Sequence, residues 1–338
     1  MRPNNLFALV ALGLGQSVLA SPGFHFRPSN TQATLSASAQ PSSEIRPHDK
    51  VNTTNETAVS EATNSICGTE SSIEEAAAQE QRFNAELIPY ATLNRTLSFT
   101  IWFHVIAANE TVEGGWLPSL AVRELAEKLN DDFSLTGVEF HLAGIRRVIN
   151  REWFDSVTVR TEHGRLLDDK MKRALRRGGR NTLNVYTVGL PDGLAGYANF
   201  PWSYHKQGDQ GDDAVRDGVV MRWDSNAAKS GNDIGSVQMW DALSHQVGHW
   251  VGLYHTFQGT GCAGDSDFVD DTPMQAAPSI STSNAGCNFR DTCGGKDELS
   301  STRTNFMDYS SNDCEAEFTP GQIRRMQDIL TTYRMNIQ

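Results

Sequence analysis

Residues 245–255 read His245-Gln246-Val247-Gly248-His249-Trp250-Val251-Gly252-Leu253-Tyr254-His255. Val237, Trp240 and Leu243 precede them and recur with Val247 at helical spacing, so the first half of the stretch predicts a helix. Positions four apart share a helix face, which sets His245 and His249 one turn apart on the same side. Glycine tolerates positive φ and often ends helices. Gly252 therefore lets the chain leave sharply, and His255 can turn back toward the pair. Three neutral imidazoles with a fourth position open form the ligand set of a catalytic zinc ion. Two core-facing histidines on a buried helix would explain His245 and His249, but not the third His and the glycine at these distances.

Outward from this stretch the pattern is mixed. Leu97–Ile106, Val138–Ile149, Asn181–Val188 and Gly218–Trp223 are rich in β-formers and read as strands. Ala121–Phe133 and Leu166–Arg177 carry apolar residues at helical spacing. A β-α-β-α-β order predicts the α/β (α+β) class, with a twisted, mostly parallel sheet backed by helices. Beyond about residue 256 the chain is loop-like and rich in Gly, Asp and Ser. It closes with a helix from Thr319, where Thr319-Pro320-Gly321-Gln322 is a capping box with Pro at the first helical position.

The first residues read differently. Arg2 is followed by an apolar run from Leu6 to Ala20, too short and too broken by Gly13, Gly15 and Gln16 to span a membrane comfortably. Val18-Leu19-Ala20 suits a signal peptidase, so residues 1–20 are expected to be a signal peptide cleaved after Ala20. Residues 21–83 are rich in Ser, Thr, Ala, Pro and Asn and read as a disordered pro-segment, because such composition buries too little surface to offset its ordering entropy. Residues 84–338 are left as one domain. The mature protein is expected to be soluble, secreted and monomeric. The sequons at Asn52, Asn55, Asn94 and Asn109 fit glycosylation in that compartment. In it, the clustered Cys262, Cys287, Cys293 and Cys314 read as two disulfides and leave Cys67 as the odd cysteine. Four cysteines allow three pairings. The net charge is −12. Nucleic acid and anionic membranes are therefore poor partners.

At this point the residues resemble a family. H-x-x-x-H-x-x-G-x-x-H followed by a methionine turn, here Asn305-Phe306-Met307-Asp308-Tyr309-Ser310, marks the metzincin zinc peptidases. The strings H-W-V-G-L-Y-H-T-F, V-D-D-T-P, R-D-T-C, N-F-M-D-Y-S and F-T-P-G-Q-I-R-R-M resemble the pappalysin family, in particular its small secreted fungal extracellular metalloproteases. The resemblance covers about residues 84–338. It implies a metzincin-like zincin domain with a loop-rich, disulfide-stapled C-terminal half, acting on protein or peptide substrates. It implies one zinc on His245, His249 and His255, an apolar floor from Met307, and a hydrogen bond from Tyr309 to the developing oxyanion. It implies a peptide adding as an antiparallel strand along Gly196–Phe200, and the pairings Cys262–Cys293 and Cys287–Cys314. Cys67-Gly68-Thr69 resembles the pro-segment cysteine that occupies zinc's open position and keeps the enzyme latent. Asp265, Asp267, Asp270 and Asp271 form an oxygen-rich loop of the kind that binds calcium, as some members of the family do; no ligands are assigned.

One departure stands at the catalytic position. The residue after the first His is Glu in the family pattern, and here it is Gln246. That Glu takes a proton from the attacking water and passes it to the leaving amine. A glutamine amide can hydrogen-bond water but cannot act as a base near neutral pH. The alternative to a slow protease is a zinc-containing pseudoprotease that binds peptides or inhibitors.

Overall fold

The computed structural model describes residues 66–92, 96–204, 211–225, 242–259, 262, 267–278, 293, 305–309 and 316–335. Five strands make one sheet: β1 (Leu97–Ala107), β2 (Val138–Ile149), β3 (Thr182–Val188), β4 (Gly196–Ala198) and β5 (Val219–Arg222). Their order is β2-β1-β3-β5-β4. All neighbours are parallel except β4, which runs antiparallel to β5 at the sheet's end.

Side chains alternate across a strand, and here both faces are covered. From β1, Leu97, Phe99, Ile101, Phe103 and Val105 enter one core, joined by Leu183, Val185, Val219 and Met221. Helix α2 (Ser119–Asp132), helix α6 (Ala242–Trp250) and helix α7 (Pro320–Tyr333) close that face, with Val122, Leu129, Val247, Trp250, Met326 and Leu330 buried against it. On the other face, Ile106, Tyr186, Val188 and Val220 meet helix α3 (Arg151–Ser156) and helix α4 (Glu162–Leu175) through Phe154, Leu167, Met171 and Leu175. Burial on both faces is what a parallel sheet requires. A short helix, α5 (Asp212–Arg216), precedes β5.

Residues 66–83 do not follow the expectation of a disordered segment. Ile66–Thr69 lies along β4, and Ile73–Glu86 forms helix α1, opened by a capping box between Ser72 and Glu75. Its buried residues are Ala76, Gln79, Glu80 and Phe83, the i, i+3, i+4, i+7 stripe of an amphipathic helix. Averaging composition over residues 21–83 hid this short periodic stretch. Residues 21–65 lie outside the described residues.

Helix α7 is held at both ends. Thr319 and Gln322 form the expected capping box. Asp271 adds a carboxylate there, accepting from Thr319 Oγ1 at 2.6 Å and from the Gly321 amide at 2.7 Å. A negative charge is favoured at a helix N-terminus. At the other end Arg334 is fully buried, its guanidinium 3.6 Å from the centre of the Trp250 ring. It donates to both oxygens of buried Asp217, at 2.8 and 3.0 Å, and to the Trp250 carbonyl. Trp250 Nε1 donates to the same Asp217. This cluster fixes the C-terminus of α6 against the sheet and α7.

Candidate metal centre

Helix α6 carries His245 and His249 on one face, and both are buried. A backbone carbonyl only accepts, so each close carbonyl fixes a tautomer. His245 Nδ1 donates to Phe306 O at 2.6 Å, and His249 Nδ1 donates to Leu253 O at 2.8 Å. The proton is therefore on Nδ1 in both rings, and the Nε2 lone pairs are left as donors to a metal. Gly252, at φ +101°, ends the helix and redirects the chain. It brings His255 Nε2 to 3.2 Å from His249 Nε2, the same separation as between His249 Nε2 and His245 Nε2. Burial is the main cause that lowers His245 to about 4. It also holds His249 and His255 well below the ordinary imidazole value, with the neighbouring imidazoles adding to the effect. All three rings are neutral at pH 7, as metal binding requires.

The turn around Met307 lies under this cluster. Gly248, on α6 between the two histidines, has no room for a side chain, because a Cβ would overlap Met307 Sδ. Asn305 aims the turn: its Oδ1 accepts from the Met307 amide at 2.9 Å, and its side-chain amide exchanges hydrogen bonds with Gln322 of α7. The Thr256 amide donates to Met307 O at 3.2 Å, tying the His255 segment to the same turn. Tyr309 Oη stands 3.4 Å from His255 Nε2.

Cys67 completes the cluster. Its Sγ lies 3.5 Å from His249 Nε2, and the ligand atoms of Cys67, His245, His249 and His255 all fall within 4.8 Å of one another. Backbone bonds place it there: the Ala195 amide donates to Ile66 O at 2.7 Å, and the Gly68 amide donates to Gly196 O at 2.9 Å. The bridge between Cys67 and Gly196 is parallel. Gln246 is fully buried beside the thiol, its Nε2 donating to Cys67 Sγ at 3.2 Å. Thr69 Oγ1 donates to Gln246 Oε1 at 3.3 Å and accepts from the Ala198 amide at 2.8 Å. Burial pushes the Cys67 thiol up, partly offset by the Gln246 and Thr69 hydrogen bonds.

The structure thus brings together His245, His249, His255, Gln246, Met307, Tyr309 and Cys67. Cys262 is disulfide-bonded to Cys293. Cys287, Cys314, Asp265, Asn52, Asn55 and Asn94 lie outside the described residues. Asn109 is exposed, with its Oδ1 accepting from the amide and hydroxyl of Thr111 in its own sequon. In the acidic loop, Asp271 is engaged by α7, and buried Asp267 accepts from Thr272 Oγ1 and the Val269 amide. Sequence reasoning missed the supports of the site, namely Asn305 with Gln322 and Asp217 with Arg334. Partners more than a hundred positions apart, like the second pair, leave no local pattern.

Comparison with known proteins agrees with this geometry. The family model Peptidase_M43, pregnancy-associated plasma protein-A, matches residues 180–331. An extracellular metalloprotease of Verticillium alfalfae is 41% identical over 248 residues, 72% of this chain and 79% of that protein. One of Colletotrichum graminicola is 36% identical over 283 residues, 80% of this chain and 92% of that protein. Among solved structures, a mutant of Tannerella forsythia promirolysin has a TM-score of 0.59 at 20% identity, covering 79% of this chain and 94% of that one. Mature mirolysin with a cleaved peptide gives 0.54 at 20%, covering 72% and 97%.

The fold is that of the mirolysin structures, and the buried donor cluster within it is one that could hold a metal ion. The chain belongs to the pappalysin family, among its extracellular metalloproteases. Its substrates are proteins or peptides, and a metal is its cofactor. Among the described residues no helix is long and apolar enough to cross a membrane.

Proposed function

We propose that His245, His249 and His255 hold one zinc ion, that Gln246 slows the peptide hydrolysis performed there, and that Cys67 keeps the precursor latent. The convergence of three neutral Nε2 atoms carries this reading. Nitrogen ligands on a tetrahedral zinc, at about 2.0–2.1 Å, stand about 3.3–3.4 Å apart, and a thiolate sulfur stands about 3.6 Å from each nitrogen. The observed separations, 3.2 Å between nitrogens and 3.5 Å from Cys67 Sγ to His249 Nε2, suit that donor set. Bound zinc supplies Lewis-acid polarisation of the carbonyl and of the attacking water.

The chain's own groups do the rest. Met307 floors the site, and the Tyr309 hydroxyl donates toward the carbonyl oxygen as charge develops on it. The outer edge of β4 takes the substrate as an antiparallel strand. Gln246 orients the water but accepts no proton. In the precursor, residues 66–69 occupy the rim in the parallel sense, which supports latency: the segment fills the substrate's path with the opposite chain direction. Residues 1–20 serve as the secretion signal, Asn109, which is exposed, carries a glycan, and Cys287 pairs with Cys314.

Metal analysis of the purified protein should find about one zinc per chain. The double variant His245→Ala, His249→Ala should lose it, and full occupancy in that variant would refute the ligand assignment. For Cys67, cobalt-substituted precursor should show a sulfur-to-metal charge-transfer band that Cys67→Ser removes. Identical spectra for the two proteins would end the latency reading.

A further inference from the structure

We infer that the pro-segment is held in two separate seats, and that the second, where α1 lies on α7 around Arg325, keeps the segment on the enzyme after the Cys67 contact is lost. The inference rests on the latency reading above and adds a lock that this reading does not contain.

Glu80 of α1 and Arg325 of α7 form a bidentate pair, with Nη–Oε distances of 2.5 and 2.8 Å. Their side chains are only 11% and 7% exposed. The guanidinium lies over the rings of Phe83 and Tyr254, with ring centres at 5.9 and 5.2 Å. Phe83 packs with Ile329 and Tyr333, and Gln79 Nε2 donates to Tyr333 Oη at 3.2 Å. The anchoring groups therefore come from α7 and the turn after α6. The Cys67 seat uses β4, Gln246 and His249 instead.

The two seats differ in what breaks them. Oxidation of the thiol, or its displacement from a metal, removes the first and touches nothing in the second. Removing α1 breaks the bidentate pair and opens the apolar packing of Phe83 on Ile329 and Tyr333. α1 thus stays docked unless something else draws it off. Arg325 Nε also donates to Gly252 O at 3.1 Å, at the turn that delivers His255. The second seat thereby ends at the backbone of the metal site.

Amide hydrogen exchange on the full chain tests this without needing activity. Cys67→Ser should leave protection of the α1 amides within about threefold, while Glu80→Gln should lower it by about tenfold or more. Phe83→Ala loosens the same seat without stranding a charge, and should lower α1 protection alone. Equal loss of α1 protection in Cys67→Ser and Glu80→Gln would overturn the proposal, because the segment would then be one cooperative unit. In a Gln246→Glu background, Cys67→Ser should hydrolyse peptide at least about tenfold more slowly than the same protein also carrying Glu80→Gln. Equal rates would count against the second seat. If no Gln246→Glu protein cleaves peptide, the protease reading fails while the exchange result still decides this one.

Discussion

Replacing Gln246 by Glu should raise kcat by about 100-fold or more, with KM little changed. The carboxamide is buried beside the Cys67 thiol, hydrogen-bonded to Cys67 and Thr69. An amide there holds water in place but carries no proton from it to the leaving nitrogen. An unprotonated amine is a poor leaving group, so the missing step belongs to the transition state. Glu and Gln are nearly the same size, and the variant should keep its metal content and thermal stability. The measurement is peptide hydrolysis by pro-segment-free, zinc-loaded protein, with the two side chains compared in parallel. Matching rates would mean another group serves as the base. An inert Glu protein would place the lesion elsewhere.

The second large effect is on stability. Asp217→Ala should destabilise the protein by about 3–5 kcal/mol, because it leaves a buried guanidinium unpaired. Asp217 is 1% exposed and Arg334 fully buried. The pair is joined by Trp250, which donates to Asp217 and stacks under Arg334. Denaturant unfolding at constant pH measures the loss. The double variant Asp217→Ala, Arg334→Met should recover part of it, since removing both charges ends the desolvation penalty. A single variant within about 0.5 kcal/mol of the parent, the usual range for surface changes, would show that the cluster is structurally idle.

The clustering of His245, His249 and His255 was legible because its geometry is local. Four residues bring the helix round to the same face, one glycine reverses the chain, and the third His follows three positions later. Strands β1, β3 and β5 were legible because burial on both faces selects continuous runs of β-formers, and edge strand β2 because its β-formers begin in alternation with exposed residues. Helix α1 was not, because its buried stripe of Ala76, Gln79, Glu80 and Phe83 is half polar and disappears when composition is averaged. The supports of the site were not legible either. Arg334 and Asp217 lie far apart in the chain, and nothing near either residue marks the partner. Two carboxylates of the acidic loop have partners within the protein: Asp271 caps α7 and Asp267 serves its own turn.

The parallel bridge between Cys67 and Gly196 bears on who can open the enzyme. On the substrate mode proposed above, scission takes a backbone laid along the rim in the opposite sense. The peptide bonds flanking Cys67 run the wrong way and cannot be turned over while the segment stays where it is. While the segment is docked in this sense, the bonds flanking Cys67 are not presented to the molecule's own site as the proposed substrate strand would be.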